Sequence, residues 1–70
     1  MKKDITIRFG ERVRKLRKLS NLSIEDLALR SDINKNYLSD VERGKRNISL
    51  KAIEKIAKGL NIPLDVLFIE

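Results

Sequence analysis

Lys35, Asn36, Ser39 and Asp40 place four polar side chains within two turns of one segment. The chemistry they offer is hydrogen bonding to base edges, not bond making. A lysine donates to guanine O6 and N7, an asparagine pairs with adenine N6 and N7, and a carboxylate accepts from cytosine N4. A serine hydroxyl serves either purpose. Each has a plainer role when taken singly, since Lys35 is also a good solvated first-turn residue and Asp40 also repels phosphate. As a set they occupy the positions that do not face Leu38 and Val41, so they share the polar front of one short helix.

A base-reading front needs phosphate donors beside it to hold it in register. Three places supply them: Ser23 at the start of the preceding helix, the Tyr37 hydroxyl, and the loop Arg43, Lys45, Arg46 and Asn47, with Asn34 at the entry to the reading segment. The loop is the strongest of these, although a charged turn also serves solubility, and Asn34 is equally a helix cap. Arg17 follows the apolar Leu16 and Glu42 follows the apolar Val41. Their positions predict an ion pair across the domain that fixes the angle between first and third helices.

The elements that must position these groups follow from periodicity and caps. Leu22, Leu27, Ala28, Ile33, Leu38 and Val41 have helical spacing on either side of a polar break at Ser31 and Asp32. Ser23 with Asp26 forms a capping signal for a second helix at residues 24–30, and Asn34 one for a third at 35–43, closed by Gly44. Two short helices joined by a tight turn are the arrangement that sets the second of them into the major groove of DNA.

Residues 7–19 read as a first helix with Phe9, Val13 and Leu16 on one face, its start softened by Gly10 at about 1 kcal/mol of propensity. A fourth helix from the N-cap Ser49 buries Ile53, Ile56, Ala57 and Leu60 and ends at Asn61, a suitable left-handed cap before Pro63. Pro63 suits the first turn of a fifth short helix over residues 64–68. No segment has strand period, so the fold class expected is all-α, a single domain over residues 1–70.

Seventy residues bury only about 60 % of their unfolded surface, so function must lie on outer faces and not in a deep cleft. The absence of cysteine and histidine removes disulfides, a thiol nucleophile and the usual zinc ligands. Acidic residues are scattered beside basic ones, so no catalytic constellation, cofactor or metal is expected and the chain does not read as an enzyme. No apolar run is long enough for a signal peptide or a membrane span, so a soluble cytoplasmic protein is expected. The formal charge of +6 belongs to residues 1–18, which hold eight Lys or Arg against Asp4 and Glu11; the remaining fifty-two residues balance. Alone, that basic start is an ordinary solvated helix face, but beside the paired-helix motif it favours a polyanion partner.

Leu22, Glu25, Leu27 and Ala28, then Ile33, Leu38, Ser39, Val41, Glu42 and Gly44, then Ser49, Leu50, Ile53, Ile56, Ala57 and Leu60 resemble the Cro/repressor-type helix-turn-helix family, the XRE family of bacterial and phage regulators. The likeness spans about Phe9 to Phe68. It implies five helices, dimeric binding to a palindromic operator, and base contacts at Lys35, Asn36, Ser39 and Asp40, and it supports the Arg17–Glu42 pair. Among small members the chain is most similar to the controller proteins of restriction–modification systems, with Tyr37, Leu38 and Ser39 in the third helix and Arg46 and Asn47 in the loop. Such controllers activate or repress their own promoter, and an activator would also meet RNA polymerase. Two departures stand out: Ile24 replaces a phosphate-binding glutamine, leaving backbone N–H groups to substitute, and Asp32 replaces the usual turn glycine.

One reading helix contacts too few base pairs for selectivity, so two modules about 34 Å apart are expected, hence a homodimer. Ile62, Leu64, Val66, Leu67, Phe68 and Ile69 are the apolar residues available for an isologous patch, or equally for closing the core under the fourth helix. The rival from another class is an antitoxin or anti-regulator that uses the same fold to hold a partner protein. Salt separates the two, because only a DNA reader releases counterions on binding.

Overall fold

Asp4 opens the first helix, α1 (Ile5–Leu19), by accepting the backbone N–H of Thr6 at 3.3 Å and its hydroxyl. The helix thus begins two residues before the expected start at Ile7. Gly10 lies well inside it, and not in a soft first turn. The computed structural model describes residues 3–68, which form four α-helices and a closing 3-10 turn, with no strand among them.

Ser23 and Asp26 cap α2 (Ile24–Ser31) reciprocally: Ser23 Oγ accepts the Asp26 N–H at 3.0 Å, and Asp26 Oδ2 accepts the Ser23 N–H at 3.1 Å. The helix ends on Asp32, which adopts the left-handed conformation (φ 54°, ψ 47°) that a glycine would take. Its backbone N–H reaches Ala28 and Leu29, and the next N–H, from Ile33, returns to Ala28 O at 3.1 Å. Those bonds offset the conformational cost and turn the chain directly into α3 (Lys35–Glu42), which Asn34 caps.

Ser49 caps α4 (Leu50–Leu60), whose buried stripe is Ala52, Ile53, Ile56, Ala57 and Leu60, and Asn61 terminates it at φ 57°. The expected fifth α-helix is instead a 3-10 turn, Leu64–Phe68. The segment is too short to repay α-helical nucleation, and its first bond runs from Val66 N–H to Pro63 O, three residues back.

The core is one cluster: Phe9 and Val13 from α1, Leu27 and Ala28 from α2, Leu38 and Val41 from α3, four residues of α4, and Leu67 from the turn. Leu16, Leu22 and Ile33 pack against it while partly exposed. At the crossing of α1 and α3 the backbones come so close that a Cβ on Gly10 would overlap the carbonyl oxygens of Val41 and Glu42. Gly10 therefore sets the depth at which α3 sits, which a propensity argument could not reveal.

Candidate nucleic-acid interface

Leu38 and Val41 are 0 % and 2 % exposed, so the back of α3 is fixed against the core. Truncating a side chain such as Leu38 to alanine costs about 2–5 kcal/mol in a site of this kind. The opposite side is thereby held outward. Lys35 and Asn36 are exposed in the subunit, and Ser39 and Asp40 are half-buried beside them. Among the described residues no element covers the N-terminal turn of α3, the part that meets base edges in helix-turn-helix motifs.

Lys35 Nζ rests 3.2 Å from Glu25 Oε2 of α2, with both side chains more than half exposed. A surface pair of this kind is worth about 0–1 kcal/mol, so it orients the lysine without sequestering it. Glu25 titrates below the ordinary glutamate range, chiefly through its own backbone N–H and then through Lys35. Asn34 uses its side-chain oxygen as the helix cap, accepting from Asn36 N–H at 2.7 Å and Tyr37 N–H at 3.3 Å. The capping role thus falls to Asn34, and the Asn36 side chain is exposed on the front.

Ser39 and Asp40 are differently engaged. Arg43 Nη1 donates to Ser39 Oγ at 3.0 Å and Arg43 Nη2 to Asp40 Oδ1 at 2.7 Å. Arg46 Nε donates to Asp40 Oδ2 at 3.3 Å, and its guanidinium lies 5.3 Å from the centre of the Tyr37 ring. The Arg43 hydrogen bond, followed by that of Arg46, holds the Asp40 carboxyl below the usual carboxylate range. Two expected base readers and three expected phosphate donors thus form one connected cluster. The loop that carries the arginines is folded back by Gly44 at φ 74° and by Lys45 N–H donating to Asp40 O at 2.9 Å. Lys45 and Asn47 are exposed on the same loop.

Ser23 stands apart from that cluster. Its backbone N–H and hydroxyl oxygen are both used in the capping box, and Glu25 and Asp26 fill the first turn of α2. A phosphate arriving there meets carboxylates, so the backbone donors expected to replace the missing glutamine at Ile24 are poorly disposed to do so.

Arg17 and Glu42 meet across the domain. Arg17 Nε donates to Glu42 Oε2 at 2.8 Å and Nη2 to Oε1 at 3.1 Å, with the side chains 13 % and 6 % exposed. A third bond, Nη1 to Leu22 O at 2.8 Å, ties the turn between α1 and α2 into the same fork. The Glu42 hydrogen bond raises the Arg17 pKa further above its ordinary value.

The apolar residues near the C-terminus divide by role. Leu67 is 1 % exposed and belongs to the subunit's own core, the second of the two roles expected for it, and so is not part of a surface patch. Ile62 packs partly against that core, and the Val66 carbonyl accepts from Arg12 Nε at 3.2 Å. Leu64 and Phe68 remain about half exposed, and Ile69 lies outside the described residues. Leu50, at 84 % exposure, lines the same shallow groove as Leu64 and Phe68. The spacing does not reveal this, because Leu50 stands three residues before Ile53 and seven before Ala57, in register with the buried stripe.

Four capped helices around one core, with a polar helix front exposed and arginines beside it, define a helix-turn-helix module. The chain belongs to the helix-turn-helix family, whose profile matches residues 13–67. Within it, the chain is 50 % identical over 66 residues to Control protein C.MunI of Mycoplasma sp, covering 93 % of this chain and 89 % of that one. It is 48 % identical over 69 residues to Control protein C.BamHI of Bacillus amyloliquefaciens, covering 96 % and 85 %. The crystal structure of the restriction–modification controller protein C.AhdI from Aeromonas hydrophila superposes with a TM-score of 0.88 at 44 % identity, over 90 % of this chain and 96 % of that one. The controller C.Esp1396I, solved as a tetramer in complex with its natural 35 base-pair operator, superposes with a TM-score of 0.88 at 31 % identity, covering 96 % and 88 %.

Proposed function

We propose that this protein is a sequence-specific double-stranded DNA-binding transcriptional regulator. It binds a pseudo-palindromic operator as a homodimer through the major groove and acts as the controller of a restriction–modification operon. The observation that carries this reading is the uncovered N-terminal turn of α3, with Lys35 and Asn36 outward while Leu38 and Val41 are buried. Lys35 and Asn36 read base edges; Arg43, Lys45, Arg46, Asn47 and Tyr37 supply phosphate contacts. Likeness to controller proteins over most of both chains supports the subfamily. Residues 1–70 act as one cytoplasmic domain of five helical segments, governed by concentration and dimerisation, with RNA polymerase a further partner where it activates.

Selection from a randomised duplex library, followed by titration of the recovered duplex at several salt concentrations, tests the proposal. With about six phosphates neutralised, the log–log slope of affinity against salt is expected near −5. Failure to enrich any sequence, or a slope near zero, would refute it and favour the protein-binding alternative.

A further inference from the structure

Asp40 is one of only two acidic residues on α3 and its following loop, and the other, Glu42, is committed to Arg17. It is the anion of the front, and one carboxylate there holds two guanidiniums: Arg43 through Oδ1 and Arg46 through Oδ2. Its backbone carbonyl holds the same loop through Lys45 N–H. Arg43 is bonded at the same time to Ser39, and Arg46 lies over Tyr37. Each carboxylate oxygen already accepts from a guanidinium, so a cytosine amine would have to enter as a second donor beside a cation that has first claim on the charge.

We infer that Asp40 is a positioning residue that presets Arg43 and Arg46 and restrains them from indiscriminate phosphate contact, and is not itself a base reader. The inference rests on the DNA-reading function proposed above. A guanidinium fork held in place loses less freedom on engaging a phosphate in the correct register. Because Arg43 and Arg46 are each about half exposed, the pairs are weak enough to open when a correctly placed phosphate competes. On arbitrary DNA, where backbone and arginines are not in register, the carboxylate keeps both charges partly neutralised. Asp40 therefore lowers affinity for random sequence more than affinity for the operator.

The test uses the full chain with two probes, the duplex recovered by selection and a mixed-sequence duplex of equal length. Asp40→Ala is expected to fold, since alanine favours the helix and removes an anion from its C-terminal half. It should bind the mixed duplex about five- to ten-fold more tightly at moderate salt and steepen the salt slope by about one, the effect of one further phosphate contact. In the DNA-free protein, the NMR side-chain Nε–Hε signals of Arg43 and Arg46 should shift and sharpen toward those of mobile arginines. In an Arg43→Gln/Arg46→Gln background, the substitution should no longer change mixed-duplex affinity. Loss of preference confined to one base pair, with the arginine signals unmoved and no coupling, would overturn the inference. If the unmodified chain binds no duplex, the DNA-reading proposal fails, and the arginine signals alone decide whether Asp40 positions them.

Discussion

Glu42 carries a carboxylate that is 6 % exposed, tolerable only because Arg17 meets it with two parallel hydrogen bonds. Removing one partner of such a pair strands a buried charge, at a cost of about 3–5 kcal/mol, whereas replacing both with apolar residues is often neutral. Arg17→Ala should therefore lower the thermal midpoint on the order of 15 °C for a domain of this size, read by circular dichroism. Arg17→Met with Glu42→Leu should recover most of that loss, and an equal loss in the double variant would mean that packing, not charge, is what Arg17 provides. The capping carboxylates make a second residue-scale prediction. Asp26 is held below its ordinary value by the Ser23 backbone N–H and hydroxyl, and Asp4 by the Thr6 hydroxyl and N–H. A carboxylate with a depressed folded pKa contributes stability that is present above its unfolded value, about 4, and lost as pH falls through the folded one. Urea midpoints should stay level from neutral pH to about 5 and fall below about 4. Asp26→Asn should flatten that acid limb, while an unchanged limb would mean its capping bonds contribute nothing.

At the scale of elements, the crossing of α1 and α3 sets how far the polar front projects. Gly10→Ala would gain about 1 kcal/mol of helix propensity, yet its Cβ would overlap two backbone carbonyls that cannot rotate aside. Overpacking costs about 1–3 kcal/mol or more, so the clash wins, and a net loss of about 2 kcal/mol is expected in chemical denaturation. Net stabilisation would show that the helices separate freely. The four α-helices were legible in the sequence because Ser23, Asn34 and Ser49 are caps placed directly before apolar stripes, and because Asp32 and Asn61 tolerate the left-handed turn. The start of α1 was not, since Asp4 and Thr6 precede any apolar periodicity. The fifth element was legible in place but not in type, as Pro63 marks its start but says nothing of α against 3-10. In the site, Asp40–Arg43 is a helical i, i+3 pair that spacing alone suggests. The Arg46 contact depends on how Gly44 folds the loop back, which local pattern does not encode.

For the whole molecule, the proposed dimer needs an apolar surface not consumed by folding. Leu67 is spent on the core, whereas Leu50 and Leu64 are among the large apolar residues left exposed, and with Phe68, half exposed although its ring lies 5.6 Å from that of Phe9, they line one shallow groove. Leu50→Glu with Leu64→Glu should keep the helical circular-dichroism signal, remove any dependence of the thermal midpoint on protein concentration, and shift the chain to monomer in sedimentation equilibrium. Binding to the selected duplex should then require much higher protein concentration. A variant that stays dimeric would place the interface elsewhere. The proposal as a whole depends on the front of α3 reading sequence, and base-pair-resolved binding of Lys35→Ala and Asn36→Ala to the selected duplex tests that most directly. Each variant should lose about 1–3 kcal/mol and relax the preference at its own base pair while leaving other positions intact. Equal weakening on every sequence, or none on any, would contradict it.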